Sequence, residues 1–157
     1  MMKVVSFFSI FLFTYVLFQF ITVPTESTAQ AQTGEVIQTL EMNYPGIVAE
    51  IMQCMRKNGV VTIKVRVENK SSENIRVLWH DVKKTVYLLD EVNGKKYLVL
   101  KDASDEYIYS GDPWDISGNT SKISWFKLAA PPKEVTKITL VLPDCAPFED
   151  LSIQDKS

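Results

Sequence analysis

The chain contains one histidine, His80, which lies between Trp79 and Asp81. A histidine beside a carboxylate is the pattern of a general base or of a metal ligand. Neighbouring residues of a strand point to opposite faces, however, so His80 and Asp81 need not meet, and a histidine at the surface or rim is the favoured interpretation. Since there is no second histidine, we expect no nucleophilic triad, no common zinc site, no catalytic residue and no enzymatic activity.

The densest group of carboxylates lies in the irregular segment from Asp102 to Asp115, DASDEYIYSGDPWD. Oxygen ligands of this kind bind calcium in loops of extracellular proteins, but the spacing does not match an EF-hand loop. A solvated acidic loop is therefore the favoured interpretation, with calcium as the alternative. We predict no metal and no cofactor.

Trp114 lies between Pro113 and Asp115 in this segment, and we predict that its side chain is exposed. Exposed aromatic side chains make contacts with sugars and proteins, because their large apolar faces stack well. The predicted ligand contacts are therefore Trp114, Asp112 and Asp115, although Trp114 is also compatible with covering the core. Trp125, in contrast, is predicted to pack inside the core, because it lies within a strand pattern.

The elements that position these residues follow from alternating apolar side chains between turn residues. The segment VTIKVRVENK predicts a half-buried antiparallel strand, because its apolar residues alternate with polar ones. The apolar face consists of Val61, Ile63, Val65 and Val67. Asn58–Gly59, just before this strand, predicts a two-residue hairpin that pairs Cys54 with Ile63. Because directly opposed residues share a face, Cys54 and Met52 are predicted to point inward.

Similar patterns continue to the C-terminus. Asn93–Gly94 predicts a second hairpin. The segment SGNTSKISWFKL predicts a turn that leads into a strand, and the segment TKITLVL predicts a strand with one buried face. We predict seven or eight short strands in an all-β antiparallel sandwich.

Two prolines, Pro143 and Pro147, flank Cys145 in the segment LVLPDCAPFEDLSI. Proline cannot donate to a β-ladder, so we expect the last strand to kink or end near Cys145 and to change partner. The apolar N-terminal segment from Val4 to Val23 predicts export, and cysteines of exported proteins are more often paired than free, which predicts a disulfide between Cys54 and Cys145. Two separate buried thiols remain the alternative.

The N-terminus has the pattern of a secretory signal peptide. Lys3 is the only charge before Glu26, Val4 to Val23 is almost wholly apolar or aromatic, and Ala29-Gln30-Ala31 fits a cleavage site. We predict a signal peptide over 1–31, a linker over 32–45, a domain over 46–157 and export to the periplasm or the outside. An uncleaved segment that anchors the domain in the membrane, facing outside the cytoplasm, is the alternative.

Length and charge limit the classes of function. The 157 residues suit one domain, and a formal net charge of −2 argues against a nucleic acid partner, which requires a basic surface. We therefore expect an unknown protein partner, with a glycan as the alternative.

The last third of the chain has a segment similar to W-x-x-F-x-A-P-P and an ending similar to L-P-G-x-x-P-F-E-D. The residues that match these two patterns are Trp125, Pro131, Pro132, Pro143, Pro147, Phe148, Glu149, Asp150 and Ile153. In both patterns the chain resembles exported bacterial Ig-like domains of unknown function, which implies an Ig-like antiparallel β-sandwich. Asp144 stands where that pattern usually has glycine, and Leu128 where it often has phenylalanine. The resemblance implies a β-sandwich in a cell-envelope or secreted protein and brings no catalytic residues. The predicted function is a non-enzymatic domain that acts through protein contacts; the alternative is a small carbohydrate-binding module that uses Trp114 and nearby acids.

Overall fold

The computed structural model describes residues 35–77, 85–110 and 114–156, with only the backbone of Trp114. The predicted signal peptide lies outside these ranges, as do Trp79, His80, Asp81 and Asp112. In the ranges described, no helix has the length and apolar composition needed to cross a bilayer.

The described residues form eleven β-strands. In chain order they are β1 Gln38–Glu41, β2 Ile47–Lys57, β3 Val60–Asn69, β4 Ile75–Val77, β5 Tyr87–Asp90, β6 Lys95–Leu98, β7 Trp114–Ile116, β8 Thr120–Ala129, β9 Lys137–Val141, β10 Phe148–Ser152 and β11 Gln154–Asp155. The number exceeds the predicted seven or eight because several strands are only two to five residues long.

The strands form two larger sheets and one small one. The first sheet has the order β1-β2-β3-β8, with β11 also on β2; the second has the order β10-β9-β5-β6; and β4 pairs with β7. Every pair is antiparallel except β11 with β2. One apolar core takes side chains from both larger sheets, which confirms the predicted all-β antiparallel sandwich. Its largest fully buried side chains are Phe126, Phe148, Ile47, Ile51, Ile63, Leu88, Ile116, Leu128, Leu140, Leu151 and Val61.

The first hairpin has the predicted register, with Cys54 opposite Ile63. Asn58 and Gly59 have φ values of 49° and 75°, which is the left-handed conformation that a tight two-residue turn requires. The inward position predicted for Met52 is wrong. A β-bulge makes Met52 an extra residue between the pairs of Ile51 and Gln53, so Ile51 takes the buried position instead.

The end of the chain folds back where the prolines predict a break. β9 ends at Val141, and Asp144 adopts a left-handed φ of 58° at the position where the resembling domains usually have glycine. β10 then returns antiparallel to β9, and β11 crosses to the first sheet, where it pairs with β2. Between β9 and β10, Cys145 pairs with Met42 beside β1 of the first sheet, so the predicted change of partner occurs at Cys145 as a single residue pair and again after β10.

The predicted linker, residues 32–45, contains a strand of the sandwich. In β1, Gln38 pairs with Ile51 and Leu40 pairs with Ala49. The domain therefore begins before residue 46, the predicted boundary. The sequence did not show this strand because four alternating residues are too few to identify one.

Arg56, on β2, connects three separate parts of the chain. Its side chain is only 5% exposed, and its Nε donates to Asp155 of β11 at 2.7 Å. It also donates to backbone carbonyls of the loop between β8 and β9, which are those of Pro131, Pro132, Lys133 and Val135. The guanidinium therefore supplies charged donors to carbonyls of a loop that lies outside the strands.

We expect the contribution of Asp155 to stability to disappear in acid. Its hydrogen bonds with the Arg56 guanidinium lower the pKa of this carboxyl, so its stabilising effect is complete above the unfolded-state pKa of about 3.9. That effect is lost as the pH falls through the lower pKa of the folded state. Urea unfolding of wild type and Asp155→Asn should differ at pH 7 and converge as the pH is lowered below 4. A difference that is constant down to pH 2 would contradict this assignment.

Candidate functional site

The predicted ligand contacts lie at the small β4–β7 sheet. Asp112 and the side chain of Trp114 are outside the described residues, and the backbone of Trp114 pairs with Val77. Asp115 faces Arg76, whose Nε and second terminal nitrogen donate to the two carboxylate oxygens at 2.6 and 2.9 Å. These bonds lower the pKa of Asp115. The Asp115 carboxylate is therefore bonded to a guanidinium of its own domain.

A buried corner fixes this small sheet to the first one. Asn69, at the end of β3, is fully buried, and its amide donates to the carbonyl of Ile116 on β7 at 3.0 Å. Gly118 packs so closely that a Cβ there would lie 2.3 Å from the carbonyl oxygen of Ser72. The position of Asp115 is therefore set by backbone packing around Asn69 and Gly118.

The acidic loop uses its carboxylates within the loop. Asp102 accepts hydrogen bonds from the backbone amides of Ser104 and Glu106 at 2.8 and 3.0 Å, and Asp105 accepts from Lys101 at 2.8 Å. Nowhere in residues 35–77, 85–110 and 114–156 are three or more Asp, Glu, His or Cys side chains placed to hold a metal ion. The absence of a metal, a cofactor or a catalytic residue remains a prediction.

The predicted disulfide is not formed, because both cysteines are free thiols. Cys145 pairs with Met42, whose amide donates to Ile47 at the start of β2. Cys54 lies seven residues farther along β2, which at about 3.3 Å per residue is roughly 20 Å away. A disulfide requires Cα atoms closer than about 7 Å, so the fold keeps these thiols apart. The alternative of two separate thiols is the one that the structure contains.

We expect both thiols to react slowly until the protein unfolds. Burial raises the pKa of Cys54 to about 12, and burial together with the neighbouring Asp144 raises that of Cys145 to about 11. Because the thiolate is the reactive form, iodoacetamide at pH 8 should label the native protein far more slowly than the protein in urea. Intact mass should then show two labels without any reductant. A chain that takes up no label in urea until it is reduced would contain the disulfide.

The exposed apolar side chains of β8 form a surface that the sequence did not predict. Trp125 is 36% exposed and Ile123 48% exposed, whereas the alternate residues Ser124, Phe126 and Leu128 are fully buried. The prediction that Trp125 packs in the core is therefore wrong. Phe126 and Leu128 occupy the inward positions, and strand alternation then requires Trp125 to face out.

Lysines flank this tryptophan on two sides. Lys64 lies directly opposite Trp125 on β3, and the Nζ atom of Lys127 is 6.0 Å from the centroid of the indole ring. Neither lysine forms an ion pair within the part of the chain that the structure describes. We call the surface formed by Lys64, Ile123, Trp125 and Lys127 the Trp125 face.

Backbone pairing makes the Trp125 face rigid. Ten consecutive residue pairs join β3 to β8, from Val60 with Ala129 to Asn69 with Thr120. On the other side of β8, the backbone amide of Ser110 donates a hydrogen bond to the carbonyl of Trp125 at 3.0 Å. The Trp125 side chain is thus presented from a strand with hydrogen-bonded neighbours on both sides. Sequence alternation places Ile123 and Trp125 on one face, but only the position of the second sheet identifies that face as the outer one.

Comparison of the chain with protein-family models, with curated proteins and with solved structures finds no match in any of the three.

Proposed function

We propose that this protein is an exported, non-enzymatic, Ig-like domain that acts through protein contacts in the cell envelope or outside it. The observation that carries the proposal is the Trp125 face, on which an exposed indole and an exposed isoleucine lie side by side on a hydrogen-bonded sheet. The N-terminal pattern in the sequence supports export, and the C-terminal resemblance supports the Ig-like assignment.

The chemistry of this face suits a protein partner. Tryptophan is enriched at the centres of protein interfaces, because a rigid ring buries much apolar area at little cost in side-chain entropy. Lys64 and Lys127 would form a polar rim that orients the partner and accelerates its approach. Since the strand is already rigid, little conformational entropy is lost when Trp125 is covered.

Site-specific crosslinking tests this function. A photoreactive phenylalanine placed at Ile123 in the producing cells should give one discrete adduct, and Trp125→Ala should abolish it. Val36, just before β1, is the matched control, because it is an apolar residue, 36% exposed, and β2 and β3 lie between β1 and β8. Equal adducts from positions 123 and 36, or none from position 123, would refute a specific contact on this face.

The second candidate function is a small carbohydrate-binding module, which the exposed indole of Trp125 also favours. The version of this function that uses Trp114, Asp112 and Asp115 remains a prediction. A glycan array separates the two functions: sugar binding should be lost in Trp125→Ala or in Trp114→Ala but retained in Ile123→Ala. An array without signal for the wild-type protein would eliminate the carbohydrate function.

A further inference from the structure

A groove of about 490 Å³ crosses the outer face of the second sheet, on the opposite side of the sandwich core from the first sheet. Leu89 of β5 and Thr139 of β9 are directly paired and lie within it. Their neighbours Leu88 and Leu140 are fully buried in the core, so strand alternation places Leu89 and Thr139 on the outer face.

Internal hydrogen bonds hold the wall formed by the loop between β5 and β6. The carboxylate of the buried Asp90 accepts from the backbone and side-chain nitrogens of Asn93 at 3.1 and 2.7 Å. The carboxylate of Glu91 accepts a hydrogen bond from the Thr139 hydroxyl at 2.6 Å, so it lies next to the outer face of β9 within the groove. Val92 is left 94% exposed at the rim. The wall therefore offers a hydrogen-bonded carboxylate and an exposed apolar side chain.

A β-bulge forms the opposite wall. The register between β9 and β10 shifts between Phe148 and Leu151, and Asp150 has a left-handed φ of 53°. Bulges redirect side chains, and here both Glu149 and Asp150 line the groove. Asp150 forms an exposed ion pair with Lys137 at 3.2 Å, whereas Glu149 has no ion pair among the described residues. Glu134, also without one, contributes a further carboxylate to the lining.

The lining carries a strong negative charge. The lining contains the ammonium group of Lys137 and five carboxylates, so its formal charge is −4. The carboxylates are those of Asp90, Glu91, Glu134, Glu149 and Asp150. A cleft lined with one sign of charge concentrates its field and attracts ligands of the opposite sign. The carboxylates are spread along the walls, and no three of them converge closely enough to hold a metal ion within the ranges described. An extended ligand with several cations fits this distribution better than a single ion does.

We propose that the groove binds an extended segment of a partner protein that carries lysine or arginine side chains next to apolar ones. The cationic groups lie between Glu91, Glu134 and Glu149, and the apolar side chains cover Leu89 and Val92. This site is separate from the Trp125 face, so either proposal can fail without the other.

Fluorescence anisotropy with a labelled peptide of alternating lysine and valine tests the site, with a glutamate–valine peptide as the negative probe. The purified protein should bind only the lysine peptide. The double variant Glu134→Gln/Glu149→Gln should weaken that binding at least fivefold, and 0.5 M salt should weaken it further. The matched control is Glu73→Gln/Glu106→Gln, which makes the same change in net charge at exposed positions outside the groove.

Several results would overturn the proposal. No binding of the lysine peptide would refute the site. An equal loss of affinity in both double variants would show that the attraction is non-specific. Equal affinity for spermine would indicate a small polyamine site. Sedimentation of the protein alone measures whether it forms a dimer. A wild-type dimer that becomes a monomer in Glu134→Gln/Glu149→Gln would show that the groove binds a second copy of the chain.

Discussion

Arg56→Ala is expected to lower the free energy of unfolding by about 1–3 kcal/mol, the range for taking the donor from buried hydrogen-bond acceptors, because Asp155 is 54% exposed and water solvates its charge once the pair is broken. Its guanidinium is bonded to Asp155 and to four backbone carbonyls of the loop between β8 and β9. Removing it takes a donor from each of these carbonyls, of which only that of Pro132 also accepts from a backbone amide among the described residues, and breaks the side-chain bonds that join Asp155 of β11 to β2. Urea denaturation followed by tryptophan fluorescence measures the loss.

Arg76→Ala is the matched control. Arg76 is also a strand arginine with two bonds to an aspartate, Asp115, but both side chains are more than 60% exposed. Exposed ion pairs contribute little, because water solvates both charges when they separate and salt screens their attraction. We therefore expect no clear shift of the urea midpoint. Similar losses in Arg56→Ala and Arg76→Ala would show that the buried network has no special role.

Phe126→Ala is expected to cost about 3–5 kcal/mol, the typical range for truncating a buried aromatic residue. Phe126 is fully buried between the sheets, and its ring stacks with Tyr109 at a centroid distance of 6.2 Å. Its removal leaves a cavity in the centre of the sandwich that rigid neighbouring strands cannot close. Thermal unfolding followed by circular dichroism should show a clear fall of the midpoint.

Trp125→Ala, one residue away, provides the comparison. Because Trp125 faces out from β8, its truncation should change stability far less than the truncation of Phe126. The same variant should abolish the crosslink or the sugar binding that the two candidate functions require. A Trp125→Ala protein as unstable as Phe126→Ala would mean that this tryptophan packs in the core, and its loss of binding would then report unfolding.

Local sequence signals identified the parts of the fold in which neighbours in the chain are also neighbours in space. Asn58–Gly59 set the turn, and alternation from Val61 to Val67 set the buried face, so the register of the first hairpin followed directly. Pro143 and Pro147 identified the break near the C-terminus in a similar way, since β9 ends at Val141. Met52 was misplaced because the bulge depends on how β2 packs against both of its neighbours.

The sequence by itself therefore determined an all-β sandwich, its main hairpin and the break before β10, because turn chemistry and alternation act over a few residues. Only the tertiary structure decided which face of β8 is buried, and hence that Trp125 is exposed. It also separated Cys54 from Cys145 and placed Arg56 against a loop and a strand that lie about 75–100 residues away in sequence. These outcomes depend on how the two sheets and the final crossover are positioned in space, which no local pattern of residues specifies.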